Sequence, residues 1–237
     1  MTVPPLIDLG QFEALTFDCY GTLIDWESGI LQALDDLLVG TPQQPSSEEL
    51  LECFGRFEPE AEHGSFRPYR DVLMDVARRF GEAFDVRVAD DSAKAFALSV
   101  RRWPPFPDSV DSLAELARRY RLAIVSNVDD DLFAGSAAEL GVDFDEVVTA
   151  QQVGSYKPER AHFDEVLTRL DLPRDRVLHV AQSLYHDVAP AKELGFWCVW
   201  VNRRAGRSGG GATPPSHAVP DLEVPDLASL ARIAAGA

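Results

Sequence analysis

Cysteine is scarce in this sequence and is not arranged for a metal site or a disulfide framework. The 237 residues include three cysteines, at positions 19, 53 and 198, which are far apart and odd in number. No Cys-x-x-Cys pair occurs, so neither a zinc site nor a set of disulfides is predicted. Cys19 follows Asp18 directly, and we expect it to be a small buried hydrophobic residue rather than a nucleophile.

Positive charge is also scarce. Lys and Arg number 22 against 39 Asp and Glu, which gives a formal net charge of −17 at pH 7. Nucleic-acid binding needs clustered basic residues, so no nucleic-acid partner is predicted. A small anionic substrate would have to be attracted by a local positive pocket.

Long apolar segments are missing as well. No stretch approaches the roughly 18 uninterrupted apolar residues that a membrane-spanning helix needs, so no membrane association is predicted. The N-terminal segment lacks the basic region and the apolar run of a signal peptide, so the cytoplasm is the expected location. The oligomeric state, monomer or homodimer, is left open.

Five short apolar runs predict the strands of a parallel sheet. Most are continuously apolar rather than alternating, as expected for strands that are buried on both faces. Helical patterns separate them, so the predicted fold is α/β, a doubly wound, Rossmann-like parallel sheet that binds ligands at the carboxyl ends of its strands. The runs are 14–17, 122–127, 146–150, 177–182 and 196–202.

The gap between the first run and the second is far longer than one crossover helix requires. It ends at a proline-rich segment, 101–109, which interrupts any helix. We therefore predict a helical cap, residues 27–105, inserted after the first strand of a core made of residues 1–26 and 106–237. A Gly/Pro/Ser-rich loop is predicted at 203–217. The cap carries helical patterns near 28–39, 47–55, 66–81 and 91–102.

Polar side chains follow four of the predicted strands. Asp18 ends the first, Ser126 and Asn127 end the second, and Lys157 and Asp187 follow the third and fourth. The carboxyl ends of parallel strands meet at one edge of a sheet, so these five residues are expected to share one cleft.

These residues resemble the four motifs of the haloacid dehalogenase superfamily, in order and over essentially the whole chain. Motif I is Asp-Cys-Tyr-Gly-Thr-Leu at 18–23, motif II is Ser126-Asn127, motif III is Lys157, and motif IV ends in Asp187. A cap inserted between motifs I and II is also a property of that family. The resemblance implies an α/β core with an aspartate nucleophile.

Two positions point to one branch of the family. Phosphatase members resemble Asp-x-Asp in motif I and carry further acids in motif IV that hold Mg²⁺, whereas this chain has Tyr20 and Gln182 there. A phenol with an ordinary pKa of ~10 is a poor acid for a leaving alcohol, and Mg²⁺ prefers anionic oxygens. Asp-x-Tyr-Gly-Thr-Leu resembles the L-2-haloacid dehalogenase branch, which implies a hydrolase without a metal or cofactor.

The resemblance also implies the roles of the catalytic residues. Asp18 would attack the halogen-bearing carbon and form an aspartyl ester, which water then hydrolyses. Thr22 would orient the Asp18 carboxylate, and Lys157 would keep it ionised. Asp187 would pair with Lys157 and help to position the water.

Substrate binding is assigned to four further residues. Ser126 and Asn127 would donate to the substrate carboxylate. An apolar pocket could be walled by aromatic residues, which are Tyr20, Trp26, Phe57, Phe66 and Tyr69. Arg56 is the best-placed cap arginine to receive the halide, as dehalogenases require, with Arg67 and Arg70 as alternatives. A surface arginine is the competing interpretation for Arg56.

Three departures from that branch are visible. Motif IV keeps the phosphatase-like spacing, which is one residue longer between the strand and Asp187 than in dehalogenases. Phe163 replaces a tyrosine, so one hydroxyl is missing. His186 is unexpected, and it is either a base for ester hydrolysis or a hydrogen-bonded structural residue.

Three functional classes therefore stay open. The first is hydrolysis of the carbon–halogen bond of a small 2-haloacid, or a related displacement such as the opening of a strained ring. The second is a Mg²⁺-dependent phosphatase, in which Asp25 or Asp187 compensates for the missing acids. The third is a non-catalytic binding protein, which the retained set of buried charges argues against.

Overall fold

The structure is a computed structural model that describes residues 7–207 and 211–236. Its centre is a six-stranded sheet in the order β3-β2-β1-β4-β5-β6, in which every neighbouring pair is parallel. This confirms the predicted fold class. The strands are β1 Ala14–Phe17, β2 Arg121–Ser126, β3 Glu146–Thr149, β4 Val177–Ala181, β5 Trp197–Val201 and β6 Leu222–Val224.

β1 lies at the middle of the sheet, and all four of its residues are buried. Phe17 at its end is in register with Ile124 of β2 and with Val180 of β4. The next residue, Asp18, continues the ladder, because its backbone N–H donates to the carbonyl of Val180 at 3.1 Å. The strand order therefore brings the chain segments that follow β1, β2 and β4 together at one edge.

Five helices separate β1 from β2 in the sequence, and the first four belong to the inserted segment. α2 extends seven residues beyond the predicted pattern and contains Pro59 in its last turns. Its buried stripe continues beyond residue 55 through Phe57 and Glu58 and reaches Ala61 after the proline. This explains why the helix does not end near 55. The inserted helices are α1 Trp26–Leu37, α2 Ser47–Glu62, α3 Tyr69–Ala83 and α4 Asp90–Ser99, followed by a 3₁₀ turn, Val100–Arg102.

The start of α3 is fixed by a residue of the sheet layer. Asp129 is fully buried, and its two carboxylate oxygens accept from the backbone N–H groups of Tyr69 (2.8 Å) and Arg70 (3.0 Å). A carboxylate at this place satisfies donors that the first helical turn leaves unpaired. The inserted helices are thus anchored to the segment after β2.

The remaining helices cover the two faces of the sheet. The predicted strand at 177–182 and the helix at 130–140 agree with the structure to within one residue, whereas the short strand β6 was not predicted. Part of the predicted 203–217 loop, 208–210, lies outside the described residues. These helices are α5 Ser109–Leu116, α6 Asp130–Leu140, α7 Ala150–Val153, α8 Ala161–Leu170, α9 Ala189–Glu193 and α10 Leu227–Ala235.

The described part of the chain contains no helix with the length and apolar character needed to cross a bilayer.

Candidate active site

The turn after β1 carries the candidate nucleophile. Asp18 is 6% exposed, and the chain turns directly behind it, with the carbonyl of Cys19 accepting from the backbone N–H groups of Leu23 and Ile24 at 2.8 and 3.0 Å. Gly21 has φ +89°, and a Cβ there would lie 2.8 Å from Trp26 Nε1. Glycine is therefore required at this turn for both its conformation and its lack of a side chain.

Thr22 orients the Asp18 carboxylate. Its hydroxyl donates to Asp18 Oδ2 at 2.7 Å and accepts from the backbone N–H of Gln182 at 2.8 Å. The threonine thus connects the turn after β1 to the turn after β4. Because the Thr22 oxygen accepts from the backbone N–H of Gln182, the hydroxyl proton is directed to Asp18.

Lys157 lies behind Asp18 and is 1% exposed. Its ammonium donates to Asp18 Oδ1 at 2.9 Å, to Asp187 Oδ1 at 2.7 Å and to the carbonyl of Val125 at 2.8 Å. An ammonium has three protons, so each one has an acceptor. The arrangement fixes Lys157 as a buried cation between two carboxylates.

Asp187 is positioned by a second chain of hydrogen bonds. His179 Nε2 is 3.0 Å from Asp187 Oδ1, and His179 Nδ1 is 2.9 Å from the hydroxyl of Thr16. Asp187 and His186 lie in a single π-helical turn, Leu184–Val188. A π turn accommodates one more residue than an α turn. This is how the structure takes up the longer spacing of motif IV noted in the sequence.

The charges of this cluster follow from its geometry. Burial raises the pKa of Asp18, and Asp187 adds to the rise, while Lys157 and Thr22 act against it. Burial would also raise the pKa of Asp187, but Lys157 and His179 hold it down at about 2. Burial would lower the pKa of Lys157, but the two carboxylates raise it instead. Asp187 and Lys157 therefore form a permanent ion pair beside Asp18.

The cluster opens into a cavity between the sheet edge and the inserted helices. The cavity volume is about 40 Å³, which is much smaller than the roughly 300–1,000 Å³ of typical small-molecule sites, so the site is a tight one. Among its described lining residues, Lys157 is the single lysine or arginine. The lining residues are Asp18, Tyr20, Trp26, Glu58, Tyr69, Ser126, Asn127, Lys157, Gln182, Ser183, His186, Asp187 and Thr213.

The two predicted donors of motif II have different environments. Ser126 is fully buried, and its hydroxyl has no partner among the described residues. The Asn127 amide, in contrast, donates to the Lys157 carbonyl at 3.0 Å and accepts from the Lys157 backbone N–H at 2.7 Å. Asn127 therefore holds the Lys157 segment in place, which leaves Ser126 as the side-chain donor of this pair.

Tyr20 lies in the cavity wall. Its hydroxyl is 3.0 Å from Ser136 Oγ of α6, and its ring packs edge-on against Trp103. Burial raises the pKa of Tyr20 well above its usual value. The phenol is thus a fixed neutral wall of the cavity.

The structure does not bring Arg56 to the cavity. Its side chain is exposed on the outer surface of α2, 3.8 Å from Cys53 Sγ and over the ring of Phe57. The alternatives are also engaged elsewhere, Arg67 with Asp75 and Arg70 with Asp129. Residue 56 lay beyond the predicted helix at 47–55, so the side of α2 on which Arg56 lies could not be predicted.

The inserted helices present Glu58 and Tyr69 to the cavity instead. Sequence reasoning considered Tyr69 as part of an apolar pocket wall but missed Glu58. Glu58 is 5% exposed, and the Tyr69 hydroxyl donates to Glu58 Oε1. Burial raises the pKa of Glu58 to about 7, and the charge of Asp18 contributes. The signal was present in the sequence, since Glu58 lies four residues after Phe54 and one after Phe57, on the apolar side of α2.

His186 and Phe163 are both buried. The backbone N–H of His186 donates to Ser183 Oγ at 2.9 Å, and the ring Nδ1 lies 3.2 Å from the same hydroxyl. Burial lowers the pKa of His186 to about 4, so the ring is neutral at pH 7. Phe163 packs edge-on against the ring of His179.

The residues at the sheet edge do not suit Mg²⁺. Both Asp18 oxygens already accept from Lys157 and Thr22, and Asp187 Oδ1 accepts from Lys157 and His179. Gln182 supplies a neutral oxygen that accepts from Thr213 at 3.2 Å. Asp187 Oδ2 is the carboxylate oxygen of this cluster that has no partner among the described residues. Since Mg²⁺ favours several anionic oxygens in octahedral geometry, one such oxygen beside a buried ammonium is a poor site for it.

A parallel sheet with a buried carboxylate and an ammonium at its carboxyl edge defines the class, an α/β protein whose candidate active site lies at the ends of its strands. Residues 12–195 match the family of haloacid dehalogenase-like hydrolases, and the chain therefore belongs to that family. It is a hydrolase, and its resemblance to the L-2-haloacid dehalogenase branch is confirmed.

Relatives of two activities align over nearly the whole chain. It is 26% identical to an (S)-2-haloacid dehalogenase of Pseudomonas sp. (strain YL), covering 95% of both chains. It is 27% identical to the 5-amino-6-(5-phospho-D-ribitylamino)uracil phosphatase YigB of Escherichia coli (strain K12), covering 94% of this chain and 96% of that one. A crystal structure of an L-2-haloacid dehalogenase superposes with a TM-score of 0.78 at 25% identity, covering 95% of this chain and 100% of the other.

Proposed function

We propose that this protein hydrolyses the carbon–halogen bond of small 2-haloacids through an ester on Asp18, without a metal or other cofactor. The observation that carries the proposal is the contact between Lys157 and Asp18, 2.9 Å apart in a buried cluster. The ammonium acts against the rise in the pKa of Asp18 that burial causes, and so favours the ionised carboxylate. Several relatives are haloacid dehalogenases, which supports the same substrate class.

In the first step, an oxygen of Asp18 attacks the carbon that bears the halogen. The new C–O bond forms as the C–X bond breaks, and the halide leaves with the bonding pair, so no proton is needed for chloride or bromide. Thr22 and Lys157 hold the carboxylate in the attacking orientation. The unpartnered hydroxyl of Ser126 is available to the substrate carboxylate.

In the second step, water attacks Cγ of Asp18. The oxyanion that develops on Oδ1 lies against the ammonium of Lys157, which stabilises the transition state. Collapse of the intermediate breaks the bond between Cγ and the ester oxygen. One proton of the attacking water passes to that oxygen to give the 2-hydroxy acid, and the other is released to solvent as the Asp18 carboxylate is restored. The oxygen in the product comes from Asp18, and the oxygen of water enters the Asp18 side chain.

Halide release and isotope transfer test this proposal together. Purified protein is incubated with 2-chloropropionate, with and without EDTA, and a single turnover is run in ¹⁸O-labelled water. We expect chloride release that EDTA does not reduce, and ¹⁸O in the peptide that contains Asp18. The Asp18→Asn variant is the matched control and should release no chloride. Label found only in the product, or loss of activity with EDTA, would contradict the mechanism.

A Mg²⁺-dependent phosphatase is the second candidate, and the alignment with the E. coli phosphatase favours it. The environments of Asp18 and Asp187 argue against it, because Lys157 contacts both carboxylates. p-Nitrophenyl phosphate separates the two candidates. Turnover that requires Mg²⁺ and disappears with a chelator, together with no halide release, would establish the phosphatase.

A further inference from the structure

The inserted helices face the nucleophile with an acid, where the arginine expected for halide binding is absent. Glu58 of α2 lines the cavity that also contains Asp18, and it is only 5% exposed. None of the ion pairs in the described part of the chain includes Glu58. A buried carboxyl without a cation requires an explanation in terms of its protonated form.

We propose that Glu58 is a catalytic residue that, in its protonated form, donates a hydrogen bond to the leaving atom of the substrate. This inference rests on the proposed function and extends it. It assigns the leaving-group site to a neutral acid rather than to a cation, and it favours substrates whose leaving atom is a strong hydrogen-bond acceptor, such as 2-fluorocarboxylates.

The hydrogen-bond geometry of Glu58 leaves one oxygen for the substrate. The Tyr69 hydroxyl donates to Oε1, and burial keeps the Tyr69 phenol protonated by raising its pKa. With Oε1 acting as acceptor, the proton of the neutral acid is carried by Oε2. Tyr69 is held at its backbone by Asp129, so the acid is presented from a fixed position.

The charges that line the cavity require the neutral form. Asp18 and Asp187 are negative and Lys157 is positive, so the cluster has one net negative charge before the substrate enters. An anionic substrate adds another, and an ionised Glu58 would add a third in a site with a low dielectric constant. Binding of a 2-haloacid therefore selects the protonated acid. The titratable groups around Glu58 are Asp18, Glu62, Tyr69, Tyr156, Lys157 and His186.

The bond-breaking step is balanced without proton transfer. Asp18 forms the C–O bond, the C–X bond breaks, and the halide takes the bonding pair while it accepts a hydrogen bond from Glu58. Hydrogen bonds from or to ionised groups are stronger than neutral ones, and fluoride is the strongest acceptor among the halides. The contribution of Glu58 should therefore be large for fluoride and small for bromide.

The test compares Glu58→Gln, which keeps a donor that does not titrate, with Glu58→Leu, which has none. Halide release is measured for 2-fluoro-, 2-chloro- and 2-bromopropionate from about pH 6 to pH 9. For the wild type, kcat/KM should fall roughly tenfold per pH unit above about pH 7. Glu58→Gln should lose this fall. Glu58→Leu should lower fluoride release by about 10²-fold and bromide release by less than about tenfold.

A binding measurement separates this inference from the proposed function. Sodium fluoride and sodium bromide are titrated into each protein, and quenching of Trp26, a cavity residue, is followed by fluorescence. We expect wild-type fluoride binding to weaken above about pH 7, to persist in Glu58→Gln and to be lost in Glu58→Leu. This pattern without halide release from any 2-haloacid would support the anion site of Glu58 and overturn the proposed function. Halide release with equal losses for all three halides and an unchanged pH profile would overturn the role of Glu58 alone.

Discussion

Lys157 Nζ lies 2.9 Å from Asp18 Oδ1, and its two remaining protons are directed to Asp187 and to the carbonyl of Val125. A lysine with all its protons engaged in this way does not act as a base. Its contribution is a fixed positive charge beside the nucleophile, in a cavity whose other ionised groups are acids.

Replacing Lys157 by Met should therefore damage both stability and activity. The change leaves two buried carboxylates without their cation, and removal of one partner from a buried pair costs about 3–5 kcal/mol. Urea unfolding measures this loss. The double variant Lys157→Met/Asp18→Asn should recover part of it, because one stranded charge is then gone. Equal stability of the two variants would show that the Asp18 charge is not the partner of Lys157.

Thr22→Val should lower kcat with a smaller effect on KM. The variant loses the 2.7 Å hydrogen bond to Asp18, so the carboxylate is free to rotate away from attack, which costs about 10²-fold in kcat. It also leaves the Gln182 amide unpaired, at about 1–3 kcal/mol of folding free energy. Thr22→Ser keeps the hydroxyl and is the control, and a Ser variant as impaired as the Val variant would argue against this role.

Ser126→Ala should raise KM and leave kcat nearly unchanged. The buried hydroxyl is free for the substrate carboxylate, and a hydrogen bond to a charged group is worth about 1.5–3 kcal/mol, so KM should rise roughly 10–100-fold. Ser155 is a matched control, because its hydroxyl is also buried and unpartnered among the described residues but lines a different cavity. An equal change in KM for Ser155→Ala would refute the assignment.

Arg56→Met should change kcat/KM by no more than about twofold, as for most surface substitutions. The Arg56 side chain is exposed and lies over the Phe57 ring, outside the cavity. Steady-state kinetics with 2-chloropropionate check this expectation. A loss of 10²-fold or more would return the halide site to Arg56.

Glu58 should also make folding stability depend on pH. Its pKa is raised from 4.5 to about 7, so the protonated acid is favoured by the folded state. For a group with a raised pKa, the stability is complete below the unfolded value and is lost as the pH rises through the folded value. The wild type should thus lose on the order of 3 kcal/mol relative to Glu58→Gln between about pH 4.5 and pH 8. Urea unfolding of both proteins at the two pH values measures the difference, and a constant difference would mean that Glu58 does not titrate in this range.

The sequence was sufficient for the sheet and for the residues that follow its strands. β1 reads as a continuous apolar run, and Asp18, Lys157 and Asp187 meet because the carboxyl ends of parallel strands share one edge. These contacts depend on chain topology, which the alternation of strands and helices determines. β6 has three residues and lies at the edge of the sheet, so its apolar pattern was too short to identify.

The inserted side of the cavity could not be predicted in the same way. Which face of α2 meets the sheet edge depends on how the helix docks. Arg56 and Glu58 are two residues apart and therefore lie on nearly opposite sides of the helix. The helical pattern predicted at 47–55 also ended seven residues before α2 does. The environment of Asn127 was also hidden, because its partner is the backbone of Lys157, 30 residues away.

Asp129 joins Tyr69 to the sheet layer through the backbone, and the hydroxyl of the same tyrosine reaches Glu58. Tyr69 therefore couples the position of Glu58 on α2 to the segment that follows β2. An outward shift of α2 alone would break the hydrogen bond between Tyr69 and Glu58, because the backbone of Tyr69 stays bound to Asp129.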